Sequence, residues 1–589
     1  MSDHDHDDRE LTILYATETG NAQDVAERLA RQCRRLRFLV HVHSIDEYEL
    51  DEIFSAHLII FVVSTAGTGR EPRTMTRFWT ALLRADLPHD LFDHLDYAVF
   101  GLGDSAYEKF CWPAKLLDRR LQALGARSFV SRGESDDQAQ LGIDGALEPW
   151  TKTLSDELLK LFPLPPGLEI APDGIPEPRA SIVDCTTPLS PEATHHLGYF
   201  TVTVSKNTRI TAADWYQDVR HFELDASEDL DFSPGDIAVV EPEVPASDVD
   251  AFLTLMGWAN TADEPFIVKH VLTDQSLPAR LPRTLTMRAL FTRYLDINAI
   301  PRRSFFALLR YFVTDELEQE KLDEFLSPEG VDDLYDYCHS VRRTIREVFE
   351  EFRSATIPRD YLFDLFPPLR PREFSIANSI HRYPRQIHLC VAIVKFRTKL
   401  KLPRRGVATT YLAALQPGDT LHIRIKKGLI DLPANRDTPI VCIGPGTGIA
   451  PMRAIIQERA ALGSKANTLY QGCRSASKDQ HYGTEFAALA AEDDKVLEYR
   501  VAASRDGPPG VKRTYVQDLI ADDSERIWEL VGTRSAWIYI SGSSNKMPAA
   551  VRAALEGAVK KHGQMDEEDA REFIATLERE GRLVEDCWD

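Results

Sequence analysis

The sequence predicts an α/β multidomain chain: a doubly wound parallel sheet, then an antiparallel β-barrel carrying a helical insert, then a second α/β region. Three observations predict it. Short apolar runs alternate with helical stretches from Leu11 to Leu161. A proline-rich stretch interrupts that pattern, and strand-like pieces follow on both sides of a long helical tract. From Thr438 the strand–loop–helix pattern returns and runs to the end. A chain of 589 residues has room for this plan, because domains usually hold about 100–200 residues each.

The first ten residues, MSDHDHDDRE, read as an acidic tail. With no basic segment ahead of an apolar run, no signal peptide is expected. In region 11–161, LTILYA reads as a strand, and NAQDVAERLARQC spaces Val25, Leu29 and Cys33 on one helical face. HLIIFVVST and LDYAVFGLGD read as buried strands, each ending in a loop, and WPAKLLDRRLQALG reads as a helix. Repeated strand–loop–helix units argue for a doubly wound parallel sheet. Region 162–193, with FPLPPGLEIAPDGIPEP, is too rich in proline for helix and is expected as an extended linker.

Region 194–435 opens with GYFTVTVSK, VRHFELD and GDIAVVEP, all strand-like. Between about 244 and 366 the character is helical: DVDAFLTLMGWA, TMRALFTRYLD, RSFFALLRYFV and TIREVFEEF. Strands return with REFSIANS, QIHLCVAIV and DTLHIRIKK, so the insert interrupts an antiparallel barrel. Region 436–589 opens with TPIVCIGPGTGIAPMRAIIQERAAL, a strand, a glycine loop and a helix.

The formal net charge is −23, which argues against nucleic acid and anionic membrane surfaces as partners. Eight scattered cysteines form no C-x-x-C pair, so neither a zinc ribbon nor a disulfide framework is expected. That usage fits a reducing, cytoplasmic compartment. No run of eighteen apolar residues occurs, and no metal site is expected.

Three loops of the first region carry a candidate site. YATETGNAQDV runs from strand to helix, so its backbone N–H groups and the Thr17 and Thr19 hydroxyls suit a phosphate monoester. It lacks the G-K-[ST] of a Walker loop. STAGTGREP (64–72) and LGDSAYEKFC (102–111) should meet it where open α/β sheets bind ligands. Gly67 and Gly69 allow close approach to a flat ring, and Tyr107 offers the one expected stacking face. Three such loops in this order suit a flavodoxin-type FMN site. Each alone could be an ordinary surface turn.

In RPREFSIANS, Arg372 and Phe374 share one face of a strand and Glu373 points to the other. An arginine for pyrophosphate, an aromatic for a ring and a hydroxyl for a flavin edge form a coherent set. In RRGVATTYLAAL, Gly406–Thr409 stand at a helix start, a second place for pyrophosphate. IGPGTGIAP is not G-x-G-x-x-G, yet Gly444, Gly446 and Gly448 permit close approach to a phosphate or nicotinamide. SRDGPPGVKRTYVQ supplies Ser504, Arg505, Lys512 or Arg513, Tyr515 and Gln517, a set suited to a ribose 2′-phosphate beside adenine. On an extended chain Asp506 faces away from Arg505. NADPH is therefore favoured over NADH, which would call for a carboxylate on the ribose.

Together TETGNA, STAGTG, LGDSAYEKF, RPREFSI, GVATTYL, GPGTGIAPMRAIIQER, SRD…YVQ and the terminal Trp588 resemble the diflavin reductase family, which includes cytochrome P450 reductase and the sulfite reductase flavoprotein. The resemblance spans Leu11 to Trp588. It implies a flavodoxin-like FMN domain and a ferredoxin–NADP-reductase-like FAD and NADPH unit with a helical connecting insert. For FMN it implies Thr17, Glu18, Thr19, Gly20, Asn21, Ala22 and Gln23 in the first loop, with Glu18 pointing outward. It adds Thr65, Ala66, Gly67 and Thr68 in the second, and Leu102, Gly103, Asp104, Ser105, Tyr107, Phe110, Cys111 and Asp137 around the third. For FAD it implies Arg342, Arg372, Glu373, Phe374, Ser375, Gly406, Val407, Ala408, Thr409 and Trp588. For NADPH it implies Thr447, Arg474, Ser504, Arg505, Arg513, Tyr515 and Gln517. Ser541, Asp586 and Trp588 fall at the catalytic positions.

Within the family, P450 and sulfite reductase flavoproteins have Cys-Gly-Asp where this chain has Ser541-Gly542-Ser543. RTKLKLPRRGVATTYL and the absence of a membrane anchor resemble the short members of cytosolic iron–sulfur protein assembly, which implies an anamorsin-type iron–sulfur protein as acceptor. A sulfite-reductase-type or P450-reductase-type flavoprotein with another one-electron acceptor stays open, as does a non-catalytic assembly scaffold.

Overall fold

The computed structural model describes residues 9–67, 69–107, 109–172, 174–186, 198–398, 401–492, 496–508, 510, 513–544 and 546–588. The acidic tail up to residue 8, linker residues 173 and 187–193, Thr68, Glu108 and Lys512 lie outside the described residues. The chain divides into two compact units. One comprises Met1–Glu192, Ala246–Arg370 and Thr398–Leu402, and the other Ala193–Pro245, Pro371–Arg397 and Pro403–Asp589.

In the first unit, β1 (Glu10–Ala16), β2 (Leu39–Ser44), β3 (Leu58–Ser64), β4 (Asp96–Gly103) and β5 (Arg127–Ser128) form a parallel sheet in the order β2-β1-β3-β4-β5, and β6 (Gly133–Asp136) also pairs with β4. The central strand β3, LIIFVVS, is buried on both faces, as a parallel strand covered by helices must be. Its alternate residues serve opposite cores. Ile60 and Val62 pack with Val25 and Leu29 of helix α1 (Asn21–Arg35), whereas Phe61 and Val63 pack with Phe78, Leu117 and Leu121. Helix Trp112–Ala123 begins with Pro113 in its first turn, where the missing N–H costs nothing.

The insert completes this unit. Helices Ala246–Leu255, Met287–Arg293 and Ile345–Glu351 bring Phe252, Phe291, Phe349 and Phe366 into one aromatic cluster. Thr344 and Glu347 form a capping box at the start of the last helix. The stretch expected as an extended linker carries a strand, β7 (Ala180–Asp184), antiparallel to β11 (Phe266–His270), which pairs in turn with β12 (Thr284–Leu285). Between Pro178 and Pro188 the chain is free of proline, and Ile182 and Val183 suit a ladder. Upstream of β7, Ala171 N–H donates to Arg35 O at 2.9 Å, so this part of the linker lies along α1.

In the second unit, β8 (Phe200–Arg209), β9 (Val219–Ala226), β10 (Ile237–Val240), β13 (Arg372–Ser375), β14 (Gln386–Ala392) and β17 (Thr420–Lys426) form an antiparallel sheet in the order β13-β10-β17-β8-β9-β14. It closes over a core that includes Val202, Phe222, Ala238, Leu389 and Ile423. β15 (Lys395–Arg397) and β16 (Pro403–Arg405) pair separately. A parallel sheet then places β18 (Ile440–Pro445), β19 (Asn467–Cys473), β20 (Leu497–Ala503), β21 (Trp537–Ser543) and β22 (Leu583–Trp588) in the order β20-β19-β18-β21-β22. The chain's last described residue is therefore the end of an edge strand. Ser544 N–H donates to Trp588 O at 3.0 Å and holds it there. Among the described residues no helix is long and apolar enough to cross a membrane.

Candidate functional site

The strand order 2-1-3-4-5 reverses direction between β1 and β3, which is where such a sheet binds its ligand. Three loops gather there. Gly20, at φ 85°, turns the chain into α1, a conformation that costs other residues strain. The first internal helical bond of α1 is Asp24 N–H to Gly20 O at 3.2 Å, so the N–H groups of Asn21, Ala22 and Gln23 head the helix. Thr17 Oγ1 accepts from Gly20 N–H at 2.9 Å and fixes the loop. Glu18 Oε1 accepts from Arg73 N–H at 2.7 Å, which commits its carboxylate to the neighbouring turn, in keeping with an outward Glu18.

The second loop joins the first and third through short contacts. Thr65 donates N–H and Oγ1–H to Leu102 O at 2.9 and 2.8 Å. Ala66 and Arg70 close a small bridge, and Gly69 packs so tightly on Lys109 that a Cβ there would lie 2.3 Å from the Lys109 Cβ. Gly67 has φ +49° and nothing within 4 Å of a built Cβ, so its backbone borders open space. In the third loop, Asp137 N–H donates to Gly103 O at 2.9 Å and Ser105 N–H to Asp136 Oδ1 at 2.9 Å. Asp104 Oδ1 accepts from Ala106 N–H, Tyr107 is half-buried beside it, and Lys115 Nζ lies over the Phe110 ring. Cys111 is buried at the left-handed cap of the following helix, and burial pushes its thiol up to about 12, so it stays a neutral thiol. The described members of the expected FMN set are thus brought to one sheet edge. Convergent N–H groups on a positive helix end suit a phosphate monoester.

In the second unit the expected FAD residues fall on two neighbouring elements. Arg372 and Glu373 are exposed on β13, and Phe374 and Ser375 are half-buried. Phe374 packs against the barrel core, and Glu373 Oε1 pairs with Lys426 Nζ at 2.9 Å. Gly406 caps helix Val407–Ala414, and Val394 N–H donates to Thr409 Oγ1 at 3.1 Å, which ties that helix start to the strand before it. The backbone N–H groups of Val407 and Ala408 head the helix and suit a pyrophosphate. Arg342, also an expected FAD residue, belongs to the first unit and has φ 53°.

The glycine loop after β18 abuts β21. A Cβ on Gly448 would lie 2.0 Å from Ser541 O, whereas Gly446, at φ +59°, faces open space. Thr447 sits between them. Ser541 is fully buried, and its Oγ has no hydrogen-bond partner among the described residues. Leaving a buried hydroxyl unpaired costs about 1–3 kcal/mol, so the geometry fits a site completed by a bound group. Ser541 pairs in register with Asp586 on β22, and Ser375 Oγ donates to Asp586 Oδ2 at 3.5 Å. Burial pushes the Asp586 carboxyl up to about 6; the Ser375 hydroxyl opposes this and Glu373 adds to it. Trp588 follows at the strand end, 37 % exposed, with its ring available to a neighbour.

The expected 2′-phosphate set gathers at the carboxyl ends of β19 and β20. Arg505 N–H donates to Arg474 O at 2.7 Å, and Ser504 Oγ to Cys473 O at 3.2 Å. Tyr515 caps helix Val516–Asp522, which carries Gln517, and Arg513 precedes it on an exposed turn. One expectation fails: the chain turns after β20 rather than staying extended. Asp506 swings back, and its Oδ2 accepts from Ala476 N–H at 2.7 Å, because an Asx side chain in a tight turn satisfies nearby N–H groups. One residue was missed. The Tyr216 ring, from the β8–β9 loop, lies over the Arg474 guanidinium at 5.2 Å. The aromatic pair Trp215-Tyr216 in a polar loop, ADWYQD, was its only sequence signal.

Comparison with known proteins agrees with this layout. Residues 13–150 match the family described as Flavodoxin, 192–411 the FAD binding domain and 442–553 the Oxidoreductase NAD-binding domain. The chain is 38% identical to an NADPH-dependent diflavin oxidoreductase 1 of Xenopus laevis, covering 98% of this chain and 99% of that one. A relative of the same name in Danio rerio is also 38% identical, with the same coverage. One in Schizosaccharomyces pombe is 34% identical over 98% of this chain and 99% of its own length. Three matched regions in this order, with likeness over nearly the whole length, place the chain in the diflavin reductase family as an NADPH-dependent oxidoreductase whose cofactors are FMN, FAD and NADPH.

Proposed function

We propose that this enzyme carries electrons from NADPH through FAD and FMN to an anamorsin-type iron–sulfur protein in cytosolic iron–sulfur cluster assembly. In this reading 11–161 is the FMN domain, 194–435 the FAD barrel with its insert, and 436–589 the NADPH domain. When bound, the cofactors supply the redox chemistry, taking two electrons as hydride and releasing them singly.

The chain's own residues do the rest. The first turn of α1 holds the FMN phosphate, and the loops at Thr65–Gly67 and Gly103–Tyr107 border the ring. Arg372, Ser375 and Gly406–Thr409 hold FAD. Thr447, Arg474, Ser504, Arg505, Arg513, Tyr515 and Gln517 hold NADPH. Asp586, once ionised, opposes the positive charge that grows on nicotinamide as hydride leaves, and Ser375 keeps it in place. Ser541 offers its unpaired hydroxyl at the same point. Trp588 acts as the ring that nicotinamide must displace; Trp588→Ala should let NADH work better and NADP⁺ leave more slowly.

The observation that carries the choice of acceptor is Ser541-Gly542-Ser543 at the end of β21, with Ser541 buried, which stands where the P450 and sulfite reductase flavoproteins have Cys-Gly-Asp. Anaerobic NADPH titration with and without an anamorsin-type protein tests it. Reduction of that protein's cluster is expected. An idle cluster beside fast reduction of a sulfite reductase haemoprotein would exchange the acceptor and leave the enzyme class intact.

A further inference from the structure

The phosphate loop of the first unit is gripped from outside the sheet. Asn21, the first residue of α1, offers its side-chain Oδ1 to two arginines, Arg302 within the insert and Arg370 just past its C-terminal bound. Arg370 Nη1 donates to it at 3.0 Å and Arg302 Nη2 at 3.2 Å. The Arg370 Nη2 also lies 3.4 Å from the point where a Cβ on Gly20 would stand. Both arginines are fixed by their local sequence. Arg302 follows Pro301, precedes helix Arg303–Leu309 and pairs with Asp24. Arg370 precedes Pro371, which holds it extended, and Leu369 N–H donates to Tyr294 O at 2.8 Å.

A guanidinium only donates, so the amide end that faces two of them is the oxygen. The Asn21 Nδ2 group, with two N–H donors, is then turned away from the arginines at the head of α1. There it joins the N–H groups of Asn21, Ala22 and Gln23, which have no helical acceptor. Two cations beside the positive helix end add to the pull on an anion.

We propose that Arg370 and Arg302 are positioning residues for the FMN phosphate: they fix the Asn21 amide so that its nitrogen grips the phosphate, and so make cofactor retention depend on the insert. This rests on the reading of the loop as an FMN phosphate site. It extends that reading to residues about 280 and 350 positions further along the chain.

The test uses the full chain depleted of FMN and measures binding of FMN and of riboflavin, which lacks the phosphate. Arg370→Ala should weaken FMN about tenfold or more and leave riboflavin unchanged, as loss of a charge-assisted contact predicts. Arg370→Lys, which keeps the charge and preserves packing, should recover part of the loss. Asn21→Asp, which can still bond the arginines but loses the donor, should weaken FMN further. Equal weakening of both ligands, or no change in either, would overturn the proposal. If the unaltered chain failed to prefer FMN over riboflavin, the phosphate-site reading itself would fall, and this proposal with it.

Discussion

Helices α1 and Ile449–Ala461 both start at the carboxyl edge of a parallel sheet, and they are held in different ways. Helix α1 buries one face and with the other forms ion pairs to helix Ile143–Leu161, to the linker and to the insert. Arg28 pairs with Asp144 of helix Ile143–Leu161 at 2.7 Å, Glu27 with Arg179 of the linker at 2.9 Å, and Arg31 with Asp364 of the insert; the carboxylates are buried and the arginines keep some solvent contact. Helix Ile449–Ala461 is buried from Ile449 through Arg459, polar residues included. Arg453 donates to Glu485 and to Ala377 O at 2.8 Å each, Ser379 Oγ donates to Glu458, and Arg459 donates to Thr438 O at 2.8 Å. Water reaches the arginine side of the α1 pairs, so an arginine that loses its carboxylate can still be solvated. Buried networks fail when one member leaves, because nothing replaces it. Helix α1 is therefore anchored through arginines that water can reach, and helix Ile449–Ala461 through arginines that are buried.

Four substitutions would break or sharpen that contrast. The largest effect should come from Arg453→Ala, which strands Glu485 and a backbone carbonyl inside the second unit. A loss of about 3–5 kcal/mol is expected in chemical denaturation, and a loss below about 1 kcal/mol would show the network to be wet. Next is Asp586→Asn. The Asp586 carboxyl ordinarily titrates at 3.8 and burial raises it to about 6 in the fold, so the folded state holds its proton over that interval. The folded protein thus loses stability relative to the Asn variant as pH rises through this window, and below it the two converge. NADPH-driven flavin reduction should rise through pH 6 in the parent and lose that inflection in the variant, with a rate about 10–100-fold lower above it.

Asp364→Asn removes the partner of both Arg31 and Arg179 and should cost the first unit about 1–3 kcal/mol. Because Asp364 is buried, added salt should leave most of that loss in place, and the cost should stay below that of Arg453→Ala because water reaches the two stranded arginines. Smallest is Arg84→Ala at an exposed pair with Asp86, for which no measurable change in melting temperature is expected.

Much of the fold was legible because its signals are local. Val25, Leu29 and Cys33 mark a helix face within nine residues, and LIIFVVS declares a buried strand on its own. The three flavodoxin-type loops were legible for the same reason. Helix Glu316–Leu326 escaped because only Leu322 and Phe325 are buried along an otherwise charged stretch. Strand β7 escaped because its prolines lie just upstream. The partners of α1 could not be read at all. Arg31 and Asp364 are separated by 333 residues, and no periodicity connects two surface-like charges at that distance. Nor does composition show that Arg453, Gln457 and Glu458 are inside, since polar residues on a helix ordinarily mark its wet face.

The most direct test of the central claim, a single chain in which NADPH reduces two flavins in series, is flavin analysis followed by anaerobic NADPH titration of the purified protein. FMN and FAD should be present in equal amounts, NADPH should bleach both, and NADH should be far less effective. A chain that retains only one flavin, or whose FMN stays oxidised while FAD bleaches, would contradict it.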